Sequence, residues 1–301
     1  MSTDLSASFD EQYVNINTKL KKRFMRKPNV SEATNEFIGL AIQCEHSEQP
    51  SFAGQTYIGA AKCEALAGNH LGEAEQYLAA ARQFIKAEAK LLALKFHSPD
   101  RENLEAAIGC YLQALSKYPD KSPIRTSILM ELANNLVSLN HKLEAVTYYE
   151  EALEIVNDST MKLMYMRNLL NLLIDCGKYD NALQLANTIF DSNKHIPDGI
   201  LTEIQVSRVL LTLLVKPDEG DKIDSLKQLF DDLMNDTESE AIPFNIDLKL
   251  KLQSIIICST VGDLQSLISV APDTKPYLTS HQADLLHALY TEQKDYNFVH
   301  S

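Results

Sequence analysis

Glycine and proline are scarce, ten of each in 301 residues. A β-sandwich or barrel needs frequent tight turns, and this supply is too small for one. Cysteines number five, an odd count, at positions 44, 63, 110, 176 and 258. They lie far apart in apolar helical stretches and never as Cys-x-x-Cys. That excludes a disulfide framework, a zinc knuckle and a thioredoxin-like dithiol, and predicts buried thiols in a reducing compartment. No long apolar run exists either. The longest, Val209 to Val215, is far too short to span a bilayer, and the N-terminus has no apolar run behind a positive charge, so no signal peptide is expected. The Asn-x-Ser/Thr sequons at Asn29, Asn157 and Asn235 then read as chance matches in a compartment that does not glycosylate them. Positive charge is in deficit, with 28 basic against 41 acidic residues and a net charge of −13. Such a chain repels phosphate backbones, and no nucleic-acid partner is expected. No nucleophile elbow, P-loop, dinucleotide fingerprint, zinc-protease or kinase signature occurs, so the expectation is no enzyme, no cofactor and no metal.

What is present is helix-forming and repetitive. Leu, Ala, Glu, Lys and Gln abound, and the composition reads as all-α. In Leu104–Pro119 the residues Ala107, Tyr111, Ala114 and Pro119 form the second-helix pattern of a tetratricopeptide (TPR) repeat, with small residues where helices approach and an aromatic filling the gap. The pattern returns at Ala145, Tyr149 and Ala152. Weaker copies lie at Ala74, Leu78 and Ala81, and at Ala182, Ala186 and Ile189. The lead alanines stand 33, 38 and 37 residues apart, near the TPR period of about 34. First helices are predicted from apolar stripes at Leu129, Leu132, Ala133, Leu136 and at Met166, Leu169, Leu170, Leu173, with a poorer one at Ile58, Ala61, Lys62, Ala65. The glycine that the best TPR first helices carry is here Ala133 or Leu170. A long helix from Gly72 to about Phe96 runs into the Ser98-Pro99-Asp100 break, where another first helix belongs.

The second half is helical without a clear repeat. Helices are predicted over Leu201–Val215, Lys222–Asn235, Asn245–Thr260 and Ser280–Glu292, with Thr279 and Gln282 as a capping box for the last. Loops are predicted at Asn193–Gly199, Lys216–Gly220, Thr237–Pro243 and Ala271–Pro276. The expected architecture is a TPR-like right-handed α-solenoid of antiparallel helix pairs, one domain over 1–301. It comprises an N-terminal segment with a basic helix over 1–28, repeats over 29–192 and divergent helices over 193–301.

Candidate chemistry is thin. His281, Asp284 and His287 step along one helix and drift round it by about 60° each, with no fourth ligand. Cys44 and His46 are too close together for a helical pair, and Cys176 beside Asp175 reads as preceding a C-cap at Gly177. Charge is more informative. Lys19, Lys21, Lys22, Arg23, Arg26 and Lys27 form a basic pole without an acid, suited to an acidic partner or an import receptor, although a solvated helix face would carry the same charges. Leu20 and Phe24 are spaced to pack that helix, Pro28 ends it, and Asn29 with Glu32 caps the next. Residues 218–240 hold nine acids and two lysines. There Ile223, Leu226, Leu229, Phe230, Leu233 and Met234 read as a buried stripe, and Asp224, Asp231 and Asp232 as an acidic pole away from it, for docking or for solubility.

Three segments carry a resemblance: Asn17–Ala33, Val206–Pro217 and Leu278–Leu289. In order and spacing the chain resembles the huntingtin-associated protein 40 family, also called factor VIII intron 22 protein, without the long proline-rich insertion of vertebrate members near Asn193–Leu201. The resemblance implies a TPR-like partner of huntingtin, itself a HEAT-repeat solenoid, held between its helical lobes. It also implies an endosomal small GTPase as a partner through that complex, a role in early-endosome motility and vesicle trafficking, and cytoplasmic, nuclear and early-endosome pools without membrane insertion. A soluble TPR-like adaptor of membrane-fusion complexes, like the SNAP proteins and acting without huntingtin, is the competing expectation.

Overall fold

Helix boundaries follow the capping residues. The computed structural model describes the backbone of residues 5–20, 29–96, 98–192, 195–235 and 242–300, and the side chains of all of these except 5–8 and 295–300. Among the described residues there are fourteen α-helices and no strand: α1 Leu5–Leu20, α2 Val30–His46, α3 Pro50–Ala67, α4 His70–Ala93, α5 Glu102–Leu115, α6 Pro123–Ser138, α7 Lys142–Ile155, α8 Ser159–Asp175, α9 Tyr179–Ser192, α10 Asp198–Val215, α11 Asp224–Met234, α12 Ile246–Val261, α13 Leu264–Thr274 and α14 Ser280–His300. Asn29, Asn69, Ser122, Asp158, Asn245 and Asp263 each accept a backbone N–H of the helix they start, satisfying one of the orphan donors there. The expected boxes form. Asn29 Oδ1 accepts from Glu32 N at 3.3 Å while its amide donates to Glu32 Oε2 at 2.9 Å. Gln282 Oε1 accepts from Thr279 N at 2.9 Å. Gly177, with φ +68°, ends α8 in the left-handed region, as the sequence predicts.

The helices gather into two compact units, Met1–Val156 and Asn157–Ser301. Short connections make successive helices antiparallel neighbours, so each unit is an all-α stack of helix pairs. The principal pairings are α2 on α3, α3 on α4, α4 on α5 and α6 on α7 in the first unit, and α8 on α9, α9 on α10, α10 on α14 and α12 on α13 in the second. The repeat alanines sit where the pattern requires: Ala74, Ala81, Ala107, Ala114, Ala145, Ala152, Ala182 and Ala186 are all fully buried. The 24-residue α4 serves two neighbours, α3 and α5, which replaces the missing first helix before α5.

Three predicted details differ. The predicted α3 stripe holds only in part: Ala61 is buried and Ile58 half-buried, but Lys62 and Ala65 are exposed, and burial extends to Pro50, Ala53, Gly54, Thr56, Tyr57, Gly59, Ala60 and Cys63. This helix is wedged between α2 and α4, so two sides are covered. Residues 264–274 form α13, although 271–276 reads as a loop around Pro272 and Pro276. The Asp263 cap and burial of Leu267, Ala271 and Thr274 hold the helix through Pro272, two residues before it ends. Of the five cysteines, Cys44, Cys63 and Cys110 are buried, but Cys176 and Cys258 are only partly so.

The wedge makes a test. A Cβ on Gly59 would lie 2.9 Å from the ring of Phe37, itself fully buried. Overpacking costs about 1–3 kcal/mol, and leaving glycine inside a helix returns up to about 1 kcal/mol. Gly59→Ala is therefore expected to cost about 1–2 kcal/mol in urea denaturation. A Cβ on Gly39 in α2 would meet nothing within 4 Å, so Gly39→Ala should instead stabilise by about 0.5–1 kcal/mol.

Candidate docking surfaces

Polar networks join the helices in each unit. In the first unit, Arg82 on α4 donates from Nε and Nη2 to both carboxylate oxygens of Glu131 on α6, at 2.7 and 2.8 Å. Glu131 also accepts from Tyr111 Oη on α5 at 2.8 Å, and Asn135 donates to the same hydroxyl at 3.0 Å. The Arg82 guanidinium holds the Glu131 carboxyl below the usual carboxylate range, against the opposing effect of burial. One more bidentate pair, Arg101 with Glu144 at 2.7 and 2.8 Å, ties the start of α5 to the start of α7.

The second unit is knotted around α10. Arg167 on α8 donates to Glu203 Oε2 from Nε at 2.8 Å. Gln282 on α14 donates to Glu203 O at 2.8 Å and to Ser207 Oγ at 3.2 Å. Arg208 is 0% exposed and reaches Asn187, Gln205 and Ser225 at 2.8–2.9 Å, with its guanidinium 4.6 Å from the Phe190 ring centre. Two of the segments that carry the sequence resemblance, Val206–Pro217 and Leu278–Leu289, thus meet in one core.

Above that core lies a groove of about 930 Å³ between α9 and the segment joining α10 to α11. Its floor includes Leu183, Val215, Ile223 and Leu226, and its rim carries Asp180, Asp191, Asp218 and Asp221. Lys216, also on the rim, is held by Glu292 at 2.8 Å. Asp218 and Asp221 belong to the acidic run seen in the sequence. Asp180 and Asp191 lie outside that run, yet Asp180, Gln184, Asn187 and Asp191 follow i, i+4, i+7, i+11 opposite the buried Ala182, Ala186 and Ile189, which is the signal for one polar face.

The sequence-predicted poles fare unevenly. Asp224 and Asp231 are exposed on α11. Asp232 is not: it is 7% exposed and accepts from Gln228 Nε2 at 2.6 Å. Met234, placed in the buried stripe, is 44% exposed, while Leu226, Leu229 and Leu233 are buried. The face is therefore rotated toward Asp232 and away from Met234. In the basic pole, Lys19 is exposed and paired with Glu36 across α1 and α2. Lys21, Lys22, Arg23, Arg26 and Lys27 lie outside the described residues, as does Phe24.

Other candidate chemistry disperses. His281 Nδ1 lies 2.6 Å from Asp175 Oδ1, His287 packs its ring on Tyr290 at 4.8 Å, and Asp284 faces solvent. Among the described residues no group of three or more His, Cys, Asp and Glu side chains could hold a metal ion. Cys44 and His46 border a pocket of about 350 Å³ with Phe9 and Leu40. Burial pushes the Cys44, Cys63 and Cys258 thiols upward and Cys110 to about 12, the reverse of what a thiolate nucleophile needs. No described helix is long and apolar enough to cross a membrane.

Buried small residues at helix crossings and antiparallel helix pairs define a TPR-like helical repeat protein. No family model matches the chain. Over 95% of its length, and 93% of the relative's, it is 23% identical to the 40-kDa huntingtin-associated protein of Mus musculus. Half of the chain is 28% identical to the protein of the same name from Rattus norvegicus, over 40% of that protein. The resemblance read from the three segments thus extends along nearly the whole chain. Two solved structures are also similar: a putative kinesin light chain of Podospora anserina with nearly identical TPR-like repeats (TM-score 0.38, 13% identity, 65% of this chain and 91% of that one), and PilF of Pseudomonas aeruginosa (TM-score 0.33, 15% identity, 86% and 98%).

Proposed function

We propose that this chain is a non-catalytic scaffold that binds and stabilises huntingtin, held between the HEAT-repeat lobes of that partner. The observation that carries this reading is the end-to-end similarity to a protein named for its association with huntingtin. The chemistry agrees with it: exposed charges at Asp224 and Asp231 and along the groove rim suit orientation and register, while apolar anchors supply affinity. The same reading takes 1–301 as one working domain, with cytoplasmic, nuclear and early-endosome pools. Its role in endosome motility and vesicle trafficking, and its link to an endosomal small GTPase, come through the complex.

Size-exclusion chromatography with recombinant huntingtin from the same organism tests the core of it. Co-elution as a stoichiometric complex is expected, and separate elution would sink the claim. Fusion machinery co-purifying in place of a giant solenoid would favour the SNAP-like adaptor. Reversing Lys21, Lys22 and Arg23 to glutamate is expected to weaken assembly more at low salt than at high salt, since exposed charge attraction is screened within about 10 Å at 0.1 M. A loss independent of salt would mean that the segment acts by packing.

A further inference from the structure

The groove between α9 and the segment joining α10 to α11 keeps a negative charge that its surroundings do not balance. Asp180, Asp191, Asp218 and Asp221 line it and are all exposed. Among the described residues the one cation lining it, Lys216, is committed to Glu292 at 2.8 Å. Arg208 lies beneath the floor and spends its donors on Asn187, Gln205 and Ser225. Glu219 and Lys222, next to the groove, pair with each other. Even with Arg208 and with Lys178, just before α9, counted in, carboxylates outnumber cations.

These carboxylates are spread out. A rise of about 1.5 Å per residue puts Asp180 and Asp191 about 16 Å apart along the α9 wall, with Asp218 and Asp221 on the opposite wall. Between them the floor is apolar: Leu183 and Leu226 are buried, and Val215 and Ile223 half-buried. Asn187 adds a polar group. Its Oδ1 accepts from Arg208 Nε at 2.8 Å, and a guanidinium only donates, so what Asn187 can offer an occupant is its amide N–H, a partner for a peptide carbonyl.

We propose that this groove holds a linear segment of a partner protein that carries lysines or arginines on both sides of an apolar side chain. The proposal rests on the scaffold reading and deepens it by naming a surface and what fills it. The apolar side chain anchors on the floor, while the cations steer and set register. Other occupants fit less well. One small cation cannot bridge carboxylates about 16 Å apart, and no described cluster could hold a metal ion. A polyamine spans the length but has no side chain for the floor. Nucleic acid and an anionic membrane surface are repelled, and a second copy sets −13 against −13.

The test uses the full chain with Asp191→Asn, Asp218→Asn and Asp221→Asn together, and huntingtin as probe. Asp180 is kept, because a carboxylate in the first turn of α9 favours that helix. The three replaced side chains are exposed, so the unfolding midpoint and circular dichroism should match wild type. Affinity at low salt should fall about 10-fold, a factor of a few for each exposed pair, and the gap should close at high salt. Gln184→Lys, at an exposed position on the α9 wall, adds opposing charge without removing a carboxylate and should weaken binding in the same salt-dependent way if the triple variant misfolds. Wild-type affinity in a folded variant, or a loss indifferent to salt, overturns the proposal. Should wild type itself not bind huntingtin, the functional reading fails separately, and a photo-crosslinker at Gln184 in the protein's own cells judges the groove. Crosslinks mapped to a basic segment of one partner, whose synthetic peptide binds wild type about 10-fold tighter than the triple variant, support it. Crosslinks only to lipid, nucleic acid or a second copy, a peptide that binds both forms equally, or no crosslink at all, overturn it.

Discussion

Replacing Arg208 with alanine is expected to lower unfolding stability by about 3–5 kcal/mol, since it opens a cavity and orphans buried polar atoms together. Arg208 is the largest fully buried side chain, and its three acceptors, Asn187 Oδ1, Gln205 Oε1 and Ser225 Oγ, are neutral. They come from α9, α10 and the first turn of α11, so one guanidinium joins three helices. Burial lowers its pKa to about 10, with Asp191 pulling the other way, and at neutral pH the group remains a cation beneath the acidic groove. Removing a buried charge can itself be neutral or helpful when the shape is kept. Arg208→Met is therefore expected to cost no more than about 1–2 kcal/mol. Arg208→Lys should fall between, because a compact ammonium lacks the planar fork that reaches three separated acceptors. Urea denaturation followed by circular dichroism ranks the three. An alanine variant as stable as the methionine one would mean that the stem and the fork contribute nothing, and the knot would lose its meaning.

What could be read from the chain was local. Caps such as Asn29 with Glu32 and Thr279 with Gln282 are set by residues three apart, and the alanine and tyrosine pattern by residues three to seven apart. Both are visible in a window of one helix, and both occur in the structure. Errors arose where a helix contacts neighbours on more than one side. In α3, small residues cover two faces, so a stripe could be drawn through Lys62 and Ala65 as well as through the buried positions. In α13, Pro272 outweighed the i, i+4, i+7 burial of Leu267, Ala271 and Thr274.

The knots were illegible for a different reason. Arg82 and Glu131 are 49 positions apart, Arg167 and Glu203 are 36, and Gln282 and Ser207 are 75. A charged residue with a distant partner looks in sequence like any solvated one. Asp232 shows the same blindness at short range. Counted among the acids of its run it is one more surface charge, but the Gln228 amide four residues earlier covers it. Arg208 left one clue, a base within the most apolar helix of the chain. A charge there must be fully hydrogen-bonded or the helix would not pack.

Tyr111 tests the corresponding knot in the first unit. Tyr111→Ala is expected to cost about 3–5 kcal/mol, the range for emptying a packed aromatic site. Tyr111→Phe keeps the ring and loses only the donor to Glu131 and the acceptor for Asn135, about 1–1.5 kcal/mol. The pH dependence separates ring from hydroxyl. Glu131 is depressed below its ordinary value of 4.5 chiefly by the Arg82 hydrogen bonds, so its contribution is whole above pH 4.5 and fades as pH falls through the lower folded value. Glu131→Gln should flatten that acid limb. Burial raises Tyr111 far above its ordinary 10.0, with Glu131 adding to the rise. The unfolded chain then ionises first, and stability drains away as pH climbs beyond about 10. Tyr111→Phe should remove that alkaline loss while leaving much of the acid limb, and Glu131→Gln should do the opposite. If both variants flattened both limbs equally, the two groups would be titrating as general surface charge, and the link from α4 through α6 to α5 would not be what holds these helices in register.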